Sequence, residues 1–152
     1  MKMTNFEEIR DTLLYICAEV EGKAEWSVDG STALRLYGMK VEPHDLDVLT
    51  DKAGAEKIAH ILREYIEKPL SYGETEKYRS HLCVLKVRGV KVDIMGDLQS
   101  YRNGKWTEVQ NPRSTGIKFV SLQGREIPVV PLEYLKFTDY FKERLSSEKL
   151  ER

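Results

Sequence analysis

The spacing of apolar residues along the chain predicts helices near both ends and in the middle. The first helix ends near Gly22 and carries Phe6, Ile9, Leu13, Ile16, Cys17 and Val20 on one face. A brief helix is predicted over residues 32–37 and a longer one over about 51–67. Pro131 suits the first turn of a final helix, whose apolar residues are Tyr134, Phe137, Phe141 and Leu145.

Shorter apolar runs between these helices predict strands. Two precede the middle helix, at residues 26–28 and 45–49. Four more form two hairpins, 81–87 with 90–95 around Arg88-Gly89, and 117–122 with 126–130 around Gln123-Gly124. This order of elements predicts an α+β fold, a mixed β-sheet with helices packed on it, because a doubly wound fold would alternate regularly.

Composition and charge narrow the class of protein. With 152 residues, of which 41% are hydrophobic, the chain can bury one core, so we expect a single domain over residues 1–152. The 24 basic and 25 acidic residues argue against unspecific duplex binding but leave a local basic groove open. Cys17 and Cys83 are too few for a zinc site, and we expect buried free thiols.

Hydropathy also predicts the compartment. No apolar run approaches the roughly 18 residues that span a bilayer, and the N-terminal segment turns acidic at Glu7 and Glu8, where a signal peptide would be apolar. We therefore expect a soluble, cytoplasmic protein with no membrane partner.

Three aspartates lie within the predicted strands. Asp45 and Asp47 are two residues apart and point to the same side of their strand. Such a pair is more often a solvated surface. However, Asp is a poor strand former, and Asp93 stands between Val92 and Ile94, so these acids indicate a function.

Gly30-Ser31 follows the first predicted strand and opens the brief helix. Free backbone N–H groups at such a turn can receive phosphate. Carboxylates that face a phosphate suit a hard divalent cation such as Mg²⁺. The residues thus predict that the three aspartates and a phosphate-binding turn at Gly30-Ser31 can lie close together.

The ordered set Gly30-Ser31, Asp45-Leu46-Asp47 and Asp93 resembles the nucleotidyltransferase superfamily, which has a DNA polymerase beta-like catalytic fold. The resemblance covers a catalytic core of about residues 25–95, followed by a C-terminal hairpin and helix at about 115–148. The whole chain is also similar to small prokaryotic members of the superfamily.

The resemblance implies a two-metal nucleotidyltransferase that moves NMP from an NTP, with ATP favoured, to a hydroxyl acceptor and releases pyrophosphate. Asp45, Asp47 and Asp93 would bind Mg²⁺ or Mn²⁺, and Asp93 would help deprotonate the acceptor. Gly30 and Ser31 would hold the β and γ phosphates. Lys136 would reach the triphosphate, although a solvated helix lysine is an equally good interpretation.

The acceptor stays open at this point: a protein, an RNA or a small molecule. Two alternatives also stay open, a non-catalytic nucleotide- or partner-binding module and a toxin–antitoxin-like component that modifies a partner protein or RNA. Five further polar residues could contribute to a pocket or be structural: Arg35, Tyr37, His44, Arg79 and His81.

Overall fold

A mixed β-sheet is the centre of the fold, and the computed structural model describes it over residues 5–135. The helices are α1 (Asn5–Val20), α2 (Gly30–Leu36), α3 (Lys52–Ile61), α4 (Pro112–Thr115) and α5 (Leu132–Leu135). The strands are β1 (Ser27–Asp29), β2 (Leu46–Thr50), β3 (Ile66–Glu74), β4 (Tyr78–Val87), β5 (Val90–Arg102), β6 (Lys105–Trp106), β7 (Lys118–Leu122) and β8 (Arg125–Val129). The predicted α+β class with a mixed sheet is confirmed.

The strand order is β3-β4-β5-β2-β1-β8-β7, and β6 pairs with β5. Hairpins give antiparallel pairs, β4 with β5 and β7 with β8. In the middle, β2 runs parallel to β5 and antiparallel to β1, while β1 runs parallel to β8. The two parallel pairs, β2 with β5 and β1 with β8, therefore join strands from distant parts of the chain.

One face of the central strands forms the hydrophobic core. Val28, Leu46, Val48, Val92 and Ile94 are all 0% exposed. Helices α1 and α3 pack on this side, since both contact β5 and each other. Because side chains alternate along a strand, the residues between these apolar positions point to the opposite face.

The hairpin predictions are confirmed. Arg88 and Gly89 both have positive φ, as do Gln123 and Gly124, which is the conformation that tight two-residue hairpins require. Strands β4 and β5 extend well beyond the predicted runs, to residues 78 and 102. Cys17 and Cys83 are buried free thiols, as predicted.

The helix predicted over about residues 51–67 is wrong after Ile61. Helix α3 ends at Ile61, a short 3-10 turn follows at Arg63–Tyr65, and strand β3 begins at Ile66. The sequence does not predict β3, because this edge strand is mostly exposed and lacks apolar alternation. Pro69 is tolerated in it for the same reason.

Smaller differences concern the elements around the acids. Helix α2 begins at Gly30, two residues before the predicted start, and β2 begins at Leu46, so Asp45 directly precedes the strand. Of the final helix only Leu132–Leu135 belongs to the described residues. No helix in this described part is long and apolar enough to cross a bilayer.

Candidate active site

Three carboxylates form a row across the sheet, on the face opposite the core. Asp47 is the register partner of Asp29 on β1 and of Asp93 on β5. Register partners on neighbouring strands project to the same face, so the three side chains share one side of the sheet. Asp29 was not a predicted site residue.

Asp45 lies just before β2, two residues from Asp47. The Thr32 hydroxyl of α2 donates a hydrogen bond of 2.9 Å to the Asp45 carbonyl oxygen, which ties the start of β2 to α2. Thr32 follows Ser31, so the Gly30-Ser31 turn and the acid pair are held together locally.

Gly30 is required by its position against Asp47. Its φ is +65°, a conformation that strains other residues, and a Cβ atom here would lie 2.5 Å from Asp47 Oδ2. Its backbone N–H donates a 2.8 Å hydrogen bond to Asp29 Oδ1. That N–H, predicted to hold phosphate, therefore already has a carboxylate partner.

The acids repel one another electrostatically. Burial, followed by the neighbouring charges of Asp29, Asp93 and Asp45, raises the pKa of Asp47 to about 8. Burial also raises the pKa of Asp29, and the Gly30 N–H opposes the shift. The pKa of Asp93 is raised mainly by burial, while Lys91 and Lys68 lower it. The cluster thus favours either a retained proton or a bound cation.

Two lysines approach Asp93 on the same face. Lys91 Nζ lies 3.8 Å from Asp93 Oδ2, and the Lys91 side chain is 53% exposed. Lys68 is the register partner of Val84, which is the register partner of Asp93. Both lysines lower the pKa of Asp93, but burial outweighs them and the pKa still rises.

The donor chemistry of the row fits a divalent cation. Asp93 Oδ1 is buried and has no hydrogen-bond partner among residues 5–135. Burial without a partner is costly for a carboxylate oxygen. No group of three His, Cys, Asp or Glu side chains among residues 5–135 is assembled closely enough to hold a metal by itself. Mg²⁺ commonly completes its coordination with water and substrate phosphate oxygens, so a partial carboxylate set suffices.

A cavity of about 430 Å³ opens beside the row. Asp29, Gly30, Asp47 and Asp93 form one end of it. The rest of its lining comes from the same face of β2, β4 and β5, together with the segments that cover that face: Leu49, Thr75, Tyr78, Ser80, Leu82, Met95, Leu98, Ser100, Arg102, Thr107, Gln110, Thr115, Val130 and Tyr134. Asp45 and Ser31 lie outside the lining.

The other polar candidates have structural contacts instead. Arg35 donates to the Val41 carbonyl oxygen and covers the Phe6 ring, and the Tyr37 hydroxyl donates to the Val130 carbonyl oxygen. His44 contacts the Asn5 side chain rather than a site carboxylate.

Arg79 and His81 do not line the cavity, whereas their strand neighbours Tyr78, Ser80 and Leu82 do. Arg79 donates to Gln99 and stacks on Trp106. His81 packs edge-on against Tyr72. Lys136 lies outside the described residues, and its predicted role stays a prediction.

The Asp47 pKa predicts how stability depends on pH. The pKa of Asp47 is 3.8 without the surroundings of the fold and about 8 in the folded protein. Between these two pH values the folded state binds more protons than the unfolded state. The free energy of unfolding therefore falls as the pH rises from one value to the other. Asp47→Asn cannot titrate, so its melting temperature should fall less between about pH 5 and about pH 8.

Thermal melts across this range test the expectation. Asp11→Asn is the matched control, because Asp11 lies on α1, outside the acid row, and forms an ion pair with its neighbour Arg10. The control should keep the slope of the unsubstituted protein. An identical slope for Asp47→Asn would show that Asp47 is not the group that binds this proton.

Known proteins resemble the chain in sequence and in fold. The profile of the aminoglycoside-2''-adenylyltransferase family matches residues 13–145. A candidate nucleotidyltransferase from Thermotoga maritima is 34% identical, with a TM-score of 0.78 over 95% of this chain and 87% of its own. No functionally curated protein gives a significant sequence match.

Two antibiotic-bound structures share the fold at lower identity. ANT(2'')-Ia, solved with adenylyl-2''-tobramycin, is 14% identical, with a TM-score of 0.56 over 91% of this chain and 75% of its own. The lincosamide antibiotic adenylyltransferase LnuA, solved with lincomycin, is 17% identical, with a TM-score of 0.57 over 90% of this chain and 93% of its own. The likenesses confirm the predicted nucleotidyltransferase-like fold.

Proposed function

Because the chain belongs to the aminoglycoside-2''-adenylyltransferase family of nucleotidyltransferases, we propose that it transfers a nucleoside monophosphate to a hydroxyl acceptor. The donor is an NTP, with ATP favoured, and pyrophosphate is released. The observation that carries the proposal is the row Asp29–Asp47–Asp93 on the face opposite the core, at one end of a cavity large enough for a small ligand.

Asp45, Asp47 and Asp93 are the residues that would hold Mg²⁺ or Mn²⁺. A bound divalent cation would neutralise the triphosphate and stabilise the charge that develops on its oxygens. The unpartnered Asp93 Oδ1 and the raised Asp47 pKa support this assignment, because a cation would satisfy the first and relieve the second.

Gly30 and Ser31 would receive the β and γ phosphates at the start of α2. The Gly30 N–H donates to Asp29. Phosphate would therefore bind first to the Ser31 N–H and hydroxyl, or it would replace Asp29 as the acceptor of the Gly30 N–H. Lys136 completes the proposed nucleotide-binding set.

Asp93 would act as the base toward the acceptor. The acceptor oxygen attacks the α-phosphorus, its proton passes to Asp93, and the bond from the α-phosphorus to the bridging oxygen breaks to release pyrophosphate. Burial raises the pKa of Asp93, which makes its carboxylate a better proton acceptor near neutral pH.

Transfer of label tests the proposal directly. The protein is incubated with each α-³²P-labelled NTP, Mg²⁺ or Mn²⁺ and cell extract, and protein, RNA and small-molecule fractions are separated. We expect label in one fraction and preference for ATP. Nucleotide binding with no transfer to any fraction would favour a binding module, while label on protein or RNA would favour a partner-modifying component.

Nucleotide binding should require the divalent cation. Without it, the carboxylates repel the triphosphate. We expect ATP to bind at least about tenfold more weakly when Mg²⁺ and Mn²⁺ are removed with EDTA, which corresponds to about 1.4 kcal/mol. Calorimetry with ATP and with GTP measures this. Equal affinity in both conditions would show that the acids are not the nucleotide site.

A further inference from the structure

The acid row divides its face of the sheet into two sides. Strand β1 runs antiparallel to β2, and β2 runs parallel to β5. The residues that follow Asp29 therefore lie on the same side of the row as those that precede Asp47 and Asp93. The other side leads into the cavity, whose lining continues along β2 and β5 beyond the row. The two sides border the same carboxylates but present different chemistry to them.

The side away from the cavity brings the Gly30-Ser31 turn to the start of β2. The Thr32 hydroxyl donates its 2.9 Å hydrogen bond to the Asp45 carbonyl oxygen, so the first turn of α2 lies against residue 45. The register of β2 with β5, continued by one residue, places Lys91 beside Asp45. The phosphate-binding turn and Lys91 therefore lie on the same side of the row.

Lys91 is one of three exposed lysines beside the row. Its register partner on β4 is Lys86, and register partners project to the same face. Lys68 on β3 is in line with Asp93 through Val84, the strand residue between them. Lys91 and Lys68 both lower the pKa of Asp93, so their charges reach this carboxylate. Lys68, Lys86 and Lys91 form a lysine patch next to the row.

The ion pair between Lys91 and Asp93 is loose enough to exchange partners. Lys91 Nζ lies 3.8 Å from Asp93 Oδ2, which is beyond hydrogen-bond distance, and the Lys91 side chain is 53% exposed. A divalent cation on the row would bind Asp93 and repel the ammonium group. The flexible lysine stem can then turn to another anion on the same side of the row.

We propose that Lys91 binds the triphosphate of the donor nucleotide, on the side of the row where Gly30-Ser31 lies. The inference rests on the proposed transfer function and adds a residue to its nucleotide-binding set. A triphosphate carries more negative charge than one divalent cation neutralises, so a further cation stabilises the bound donor. A lysine ammonium group suits phosphate because it is a compact charge with three hydrogen-bond donors. The rest of the lysine patch adds positive potential.

Calorimetry with ATP and with AMP tests this role of Lys91. Lys91→Gln keeps a polar side chain but removes the charge. In Mg²⁺ we expect it to bind ATP at least about tenfold more weakly than the unsubstituted protein does. Affinity for AMP should not change, because AMP lacks the β and γ phosphates. Lys91→Arg keeps the charge and should retain affinity for ATP.

Lys57→Gln is the matched control. Lys57 is exposed on α3, which packs on the opposite face of the sheet, so this variant should bind ATP normally. Melting curves verify folding of Lys91→Gln, and we expect little change because its ion pair is long and partly exposed.

Binding of Mn²⁺ alone separates phosphate binding from an effect on the carboxylates. Lys91→Gln should bind Mn²⁺ at least as tightly as the unsubstituted protein, because a competing cation beside Asp93 is lost. Weaker Mn²⁺ binding would overturn the inference, since Lys91 would then act by positioning Asp93.

Three further results would overturn the inference while leaving the transfer function standing. Unchanged or higher ATP affinity in Lys91→Gln would show that Lys91 only neutralises Asp93. An equal loss for ATP and AMP would place its contact elsewhere on the nucleotide. Slower transfer at unchanged ATP affinity would assign Lys91 to the acceptor. An unsubstituted protein that binds no ATP in Mg²⁺ would instead contradict the proposed function, and the inference with it.

Discussion

Asp93→Asn is expected to lower the rate of NMP transfer by a factor on the order of 10² or more. Asparagine keeps the side-chain volume but cannot accept the proton of the acceptor hydroxyl. Affinity for Mg²⁺-ATP should largely survive, because the proposed function assigns nucleotide and metal binding mainly to Asp45, Asp47 and the Gly30-Ser31 turn. Single-turnover transfer and calorimetry on the same preparation separate the two effects.

Folding should not confuse this result. In the described part of the chain, Asp93 Oδ1 has no hydrogen-bond partner to lose, and the side chain's ion pair with Lys91 is long, at 3.8 Å, and partly exposed. We therefore expect a melting temperature at or above that of the unsubstituted protein. Asp11→Asn on α1 is the control and should transfer normally. A folded Asp93→Asn protein that transfers at the unsubstituted rate would make Asp93 a structural acid.

Gly30→Ala is expected to impair both stability and transfer. The positive φ costs about 1–2 kcal/mol for a residue with a Cβ. The new Cβ would also stand 2.5 Å from Asp47 Oδ2, so the carboxylate or the turn must move. A shift of this kind in a reacting site can cost about a hundredfold in rate. Thermal melts and transfer rates measure the two losses.

Gly22→Ala is the control that separates backbone strain from the steric clash with Asp47. Gly22 has a similar φ of +77°, but no atom lies within 4 Å of the position its Cβ would take. We expect a comparable loss from backbone strain, about 2–4 °C in melting temperature per kcal/mol, and unchanged transfer. If Gly30→Ala also transfers normally, the close approach of the turn to Asp47 has no part in the reaction.

The local pattern of the sequence determined much of this protein. Period-two spacing predicted that Asp47 lies on the side of β2 opposite Leu46 and Val48, because alternation in a strand is a local property. Asp45 directly precedes the strand. Turn dipeptides such as Arg88-Gly89 located the hairpins for the same reason, since a tight turn selects its own residues. The mixed sheet followed from the order of these elements.

The local sequence pattern does not predict edge strand β3. Its residues are mostly exposed and show no apolar period, so only pairing with β4 defines it. The apolar spacing that predicts α3 continues to Tyr65, yet the helix ends at Ile61. Tertiary pairing overrides local spacing where a segment buries little of its own surface.

The composition of the site was decided by the tertiary structure. Asp29 is the last residue of β1 and directly precedes Gly30, a signal that was visible in the sequence, but only its register with Asp47 makes it part of the row. Likewise, the parallel pairing of β2 with β5 brings Asp47 beside Asp93. Local alternation fixes the face on which a side chain lies, whereas the neighbour across the sheet depends on how strands from distant parts of the chain pack over a common core.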